Sequence, residues 1–140
     1  MTNPADADLA PRFAEAAALA NADRFDEAIT LLERLRDEHP TVVHLTGFLG
    51  ATLYRAGRLD EAVGLLTQAA AAAPHKELPS IALFHCLWDL DRHSEACDEL
   101  VRFLRSNESD LYRELLSDLG WKFDRDTGTL TEAQLPESAG

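Results

Sequence analysis

Four sulfur- and nitrogen-bearing side chains fall close together near the middle of the chain: His85, Cys86, His93 and Cys97. Together they could ligate a soft metal, but no pair among them has the compact spacing of a structural zinc site. Two thiols in a chain of this length read better as small apolar side chains. Asp126-Thr127-Gly128 matches the aspartic-protease tripeptide, yet nothing supplies the paired carboxylate and all-β frame that chemistry needs, so it reads as a turn. Asp124-Arg125-Asp126 opens like a calcium loop, but Leu135 stands where a bidentate Glu belongs. There is no glycine-rich phosphate loop and no nucleophile elbow. His44, His85 and Asp89 are the nearest approach to a titratable cluster. No catalytic residue, metal or cofactor is expected, and an enzyme is kept only as the remote alternative.

The residues with chemistry to offer are instead suited to binding, and a repeat places them. Asp23-Arg24-Phe25-Asp26-Glu27-Ala28, Gly57-Arg58-Leu59-Asp60-Glu61-Ala62 and Asp91-Arg92-His93-Ser94-Glu95-Ala96 recur at a fixed 34-residue interval. A fixed period of that length marks a repeat architecture. Helical periodicity and breakers divide each copy into two helices, about 9–22 and 25–38, 41–56 and 59–73, and 78–90 and 93–105. Asp8 is the expected cap of the first, with Pro11 in its first turn. Inward stripes are expected at Ala28, Leu31, Leu32 and Leu35, at Ala62, Leu65, Leu66 and Ala69, and at Ala96, Leu100, Phe103 and Leu104. His39-Pro40 and Pro74 close the first two copies; Glu108 stands at the corresponding place in the third.

A further helix, capped by Asn107 and ended by Gly120, carries Leu111, Leu115 and Leu119 as a stripe beside Tyr112 and Leu116. Repeat arrays need such an element over their last apolar face. Trp121-Lys122-Phe123 and Thr129-Leu130-Thr131 alternate like the strands of a small hairpin.

The 34-residue unit resembles the tetratricopeptide repeat. Leu49-Gly50, Leu53, Ala62, Leu66 and Pro74 carry the resemblance most clearly. Ala16, Leu19, Ala28, Leu32 and Pro40 match in the first copy, and Leu83, Leu87, Ala96 and Leu100 in the third. The resemblance implies an all-α, right-handed superhelical array of helix–turn–helix repeats, here with a small C-terminal hairpin. The expected layout is a disordered 1–8, a repeat domain over 9–119 and a hairpin with flexible tail over 120–140. Within the domain the repeats fall at about 9–42, 43–76 and 77–108, with the capping helix at 108–119. Ala16, Gly50, Ala28, Ala62 and Ala96 are small where two helices cross closely. Phe84 stands in the place of Ala16 and Gly50, and its ring is expected to push the third pair apart or tilt it.

The resemblance further implies a concave partner-binding surface lined by the first helix of each repeat. Residues there that the core does not need are Ala10, Phe13, Ala17 and Ala20, then His44, Gly47, Ala51 and Tyr54, then Leu78, Ile81, His85 and Trp88. The expected contact residues are Phe13, His44, Tyr54, Arg55, Ile81, His85, Trp88 and Asp89. Tyr and Trp make strong anchors because they bury much area at little rotamer cost. The competing expectation is that Tyr54 and Trp88 pack on each other or under the chain's own hairpin. A family variant grips chaperone C-terminal carboxylates through Lys, Asn and Arg at stripe positions; Phe13, Ala17, Gly47, Ala51, Ile81 and His85 replace them, so that partner class is disfavoured.

The expected function is therefore a protein-interaction module or adaptor holding a peptide or helix. The alternative is a dedicated chaperone or inhibitor of one, basic, partner protein. The formal charge of −12 disfavours sequence-independent nucleic-acid binding, which needs cations against phosphate. Residues 1–40 carry nine acids against four bases, whereas residues 41–74 carry two of each. Met1–Asp8 has neither the basic segment nor the apolar run of a signal peptide, and no apolar run is membrane-length, so a cytoplasmic, non-membrane location is expected. A monomer is expected, with a dimer through an uncapped face as the alternative.

Overall fold

The computed structural model describes residues 4–132, with side chains from residue 8. The described residues form seven helices and one hairpin. The helices are α1 (Pro4–Asn21), α2 (Phe25–Glu38), α3 (Val43–Arg55), α4 (Leu59–Ala72), α5 (Glu77–Asp89), α6 (His93–Ser106) and α7 (Asp110–Leu119). Strands β1 (Trp121–Asp124) and β2 (Thr129–Glu132) follow. The fold is all-α, built of consecutive helix–turn–helix pairs. The chain divides into two compact units at Ala73 and Pro74. The N-terminal unit holds α1 to α4; the C-terminal unit holds α5 to α7 and the hairpin.

The recurring hexapeptide makes the turn inside each pair. Asp23, Gly57 and Asp91 adopt left-handed backbone, with φ of 60°, 83° and 61°. The next residue, Arg24, Arg58 or Arg92, donates its N–H back to the carbonyl of Leu19, Leu53 or Leu87, each at 2.9 Å. The left-handed residue itself donates to Ala20, Tyr54 or Trp88, each at 3.0 Å. This paired closure satisfies the last carbonyls of the leaving helix. The arginine then opens the next helix and grips the Glu three residues on, at 2.6 Å for Arg24–Glu27 and Arg58–Glu61 and 2.5 Å for Arg92–Glu95. These guanidinium hydrogen bonds hold the Glu61 and Glu95 carboxyls below their usual range.

Each unit has its own core. In the N-terminal unit Ala16 and Ala28 are fully buried, and a Cβ on Gly50 would lie 2.8 Å from Leu66 Cγ. The close approach expected at Gly50 is thus made against the Leu66 side chain. The inward stripe of α2 is Ala28, Ile29, Leu32 and Leu35; Leu31, expected among them, is half-exposed. Leu65 on α4 is likewise half-exposed, with Ala70 buried alongside Ala62, Leu66 and Ala69. The stripe of α6 is as expected.

Several boundaries differ from expectation. Residues 4–8, expected outside the first helix, form its beginning, so Asp8 is not its cap and Pro11 lies in its interior. Pro4 supplies the preset φ favoured at a helix start. Residue 107 does not cap α7. Its side-chain amide donates to the Phe103 carbonyl, and Ser109 is the cap, accepting from the Tyr112 N–H at 3.0 Å. The hairpin is antiparallel, with Trp121 opposite Glu132 and Phe123 opposite Leu130. Glu132, expected in the flexible tail, is therefore part of β2. The remaining tail from 133, and residues 1–3 of the expected disordered start, lie outside the described residues.

The C-terminal unit is tied by polar side chains. Ser80 on α5 donates to Glu99 on α6 at 2.6 Å, and the Tyr112 hydroxyl of α7 meets Ser80 Oγ at 2.7 Å. Since the Ser80 proton goes to a carboxylate, Tyr112 is the donor in that second bond. Arg102 closes the chain on Glu99 with two hydrogen bonds of 2.8 and 2.6 Å. Burial, above all, raises the Tyr112 phenol pKa. Arg125 of the hairpin turn donates to the carbonyls of Leu104 and Asn107 at the end of α6, at 3.1 and 2.9 Å.

Candidate partner-binding surface

The first helices of the first two repeats, α1 and α3, both belong to the N-terminal unit. Phe13 on α1 meets the His44 ring on α3 at 4.9 Å and the Phe48 ring at 5.0 Å. Phe13 and Phe48 are half-buried and His44 is exposed. Ala17, Gly47 and Ala51 are half-buried as well, and Tyr54 completes the row on α3. Ala20, expected on this surface, is fully buried. Phe48 was not in the expected set because it falls between the +3 and +7 positions of the stripe. Its spacing of four residues from His44 is the signal that would have found it.

Arg55 goes elsewhere. Its guanidinium stands 3.6 Å from Asp23 and 5.2 Å from the centre of the Phe25 ring. Those partners belong to the turn between α1 and α2, so Arg55 braces that turn rather than standing with Phe13 and His44.

In the C-terminal unit, Ile81 and His85 are half-buried and Asp89 is exposed on α5. Trp88 is in ring contact on several sides. It stacks on Phe84 at 5.6 Å, lies 4.1 Å from His93, and meets Trp121 of the hairpin edge-on at 5.5 Å. Of the two expectations for Trp88, self-packing under the hairpin is what these contacts describe. Phe84 is 1 % exposed and also meets Tyr112 of α7 edge-on at 6.2 Å, so its ring serves the junction with the capping helix. The sequence does not signal the Trp121 contact, because pairing across 33 residues follows no repeat spacing.

The other candidate chemistry disperses. Asp124 Oδ1 accepts from the N–H groups of Asp126 and Thr127 at 2.9 and 3.4 Å, which makes the Asp-Thr-Gly stretch a side-chain-stabilised turn. Cys86 and Cys97 form no disulfide, and the first is buried. Partial burial, then the charge of Asp98, raises the Cys97 thiol pKa, which removes thiolate character at neutral pH. No group of three or more His, Cys, Asp or Glu among the described residues is arranged to hold a metal. No described helix is long and apolar enough to cross a membrane.

Comparison with curated proteins yields no match. Residues 53–119 match a family model described as tetratricopeptide repeat. That stretch starts in α3 and ends with α7, and the turn closure at its Gly57 is the one also found at Asp23 and Asp91. Over residues 53–119 the chain is similar to the tetratricopeptide repeat, and the same helix–turn–helix pairing extends to the described residues before that stretch.

Proposed function

We propose that the chain is a non-enzymatic protein-interaction module that receives a peptide or helix on the α1–α3 face of its N-terminal unit. Tetratricopeptide repeats mediate protein–protein interaction, which supports the class of function. The observation that carries the location is the aromatic patch of Phe13, His44 and Phe48, shared by two consecutive first helices and still accessible. Small neighbours at Ala17, Gly47 and Ala51 leave room for a partner backbone to approach, and Tyr54 adds an amphipathic ring at the far end of α3. Such a patch suits an apolar or aromatic-anchored segment. Ile81, His85 and Asp89 offer contacts of the same type on α5. Trp88 is half-buried, and its ring already contacts Phe84, His93 and Trp121, so it offers a partner less free ring surface.

Affinity capture comparing the wild-type chain with Phe13→Ala/Tyr54→Ala and with His44→Ala tests this. A partner retained by wild type and lost by the variants, with circular dichroism unchanged, is the expected result. An unchanged set of partners would remove the α1–α3 face from consideration. His44→Ala keeps the test open should the double variant unfold, because His44 is exposed.

A further inference from the structure

The hairpin is attached to the C-terminal unit differently from the helix it follows. Helix α7 is held to α5 from within. Tyr112 is fully buried, its hydroxyl meets Ser80 Oγ at 2.7 Å, and the Ser109 hydroxyl donates to Glu77 at 2.6 Å. No residue of β1 or β2 is buried: Trp121, Phe123 and Leu130 are half-buried, and the others are exposed. Two strands of four residues make a hairpin that is marginal by itself. Contacts at its two ends tie it to α5 and α6. At the turn, Arg125 donates to the Leu104 and Asn107 carbonyls at 3.1 and 2.9 Å, and Gly128 lies against the Arg105 side chain. At the other end, the Trp121 ring meets Trp88 edge-on at 5.5 Å. Gly120 alone separates α7 from β1, at a φ of 71° that glycine adopts freely.

We propose that the hairpin is a hinged strap. It pivots at Gly120, Arg125 is its catch on the end of α6, and its opening uncovers the edge of Trp88 while α5, α6 and α7 stay folded. The pivot and the catch sit at opposite ends of β1, about 13 Å apart for a strand of this length. Losing the catch therefore frees the turn end, while the pivot end stays beside α7. The catch is suited to release. The Arg125 side chain is 51 % exposed, and its acceptors are carbonyls at a helix end, which water can take over when the strap lifts. Once lifted, the strands lose the support that so short a hairpin needs, so opening and unzipping are one event. The product is two freed indoles beside Ile81 and His85, so the closed strap withholds aromatic surface from α5. The inference does not rest on the α1–α3 face.

The test is amide hydrogen exchange of the full chain followed by NMR, with wild type against Arg125→Gln. Loss of the charge-assisted bonds should speed exchange of the β1 and β2 amides about tenfold. Amides of α5 and of the first half of α6 should keep their wild-type rates, as a local opening requires. Arg125→Lys keeps the cation without the fork. It should speed strand exchange by less, and it keeps the test open should Arg125→Gln fold poorly. A second measurement uses Trp121→Phe, in which Trp88 is the only indole. Adding Arg125→Gln to it should raise acrylamide quenching of Trp88 with the ellipticity at 222 nm unchanged. Wild-type strand exchange in both Arg125 variants would overturn the proposal. Equal acceleration in the strands, α5 and α6 would overturn it too, by making the hairpin part of one cooperative body. So would faster strand exchange with Trp88 quenching unchanged, because the strands would then fray without uncovering the ring.

Discussion

At Gly57 the question is one of backbone, not space. A Cβ there would meet nothing within 4 Å, yet φ is +83°. Gly57→Val should therefore destabilise the chain by about 1–2 kcal/mol through left-handed strain alone, and Gly57→Asn by less, read from chemical denaturation. Asp23 and Asp91 already tolerate the same conformation, as short polar side chains do. Gly50 is the opposite case, with ordinary helical geometry and no room. Gly50→Ala should cost about 1–3 kcal/mol from overpacking. A Leu66→Ala partner substitution should show favourable coupling in a double-mutant cycle, because it removes the atoms the new Cβ would strike. The carboxyls of Glu61 and Glu95 titrate below the ordinary glutamate range, held there first by their arginine hydrogen bonds. A depressed folded-state pKa contributes stability above the unfolded value and loses it as pH falls. Both groups are fully exposed, so the acid loss should be shallow and should flatten further in high salt.

Among the elements, the capping helix is the one whose attachment is most specific. Tyr112 is fully buried and donates into the Ser80–Glu99–Arg102 chain. Tyr112→Phe should cost about 1–2 kcal/mol, since it leaves Ser80 without one partner. The same variant should change the alkaline limb of stability. Burial raises the Tyr112 pKa above that of an exposed tyrosine, so the folded state holds the proton more tightly. That contribution is complete below about pH 10 and is lost as pH rises through and beyond it. Thermal melts from pH 8 to 11 should therefore decline less steeply in Tyr112→Phe. The helices themselves were legible in the sequence because breakers and turn residues recur with the period. Phe25–Glu38 falls at its expected limits, and the other five in the repeats shift by one to five residues. The start of α1 was hidden because Pro11 reads as a beginning, although the helix accepts it in its interior. The α7 cap was hidden because Asn107 and Ser109 are both good caps, and only tertiary contact with Glu77, at 2.6 Å from Ser109, selects the second. Of the expected contact residues, some neighbours were legible in the stripe spacing and others were not. Phe13 and His44 meet as neighbouring first helices require, whereas the partners of Arg55 and Trp88 come from a turn and a hairpin outside the stripe.

For the molecule as a whole, a charge of −12 over 140 residues makes self-repulsion a standing term. Moderate salt should raise the denaturation midpoint even as it loosens the exposed arginine–glutamate pairs, because screening acts on the many unpaired acids. The two tryptophans add something about observation itself. Trp88 and Trp121 are the chain's only two, both lie in the C-terminal unit, and they touch. Intrinsic fluorescence excited at the red edge is consequently blind to α1 through α4. A fluorescence melt follows one unit, while the helical ellipticity at 222 nm follows both. Coincident curves would mean that the turn residues and cores of the two units yield as one cooperative body; separated curves would give each unit its own stability.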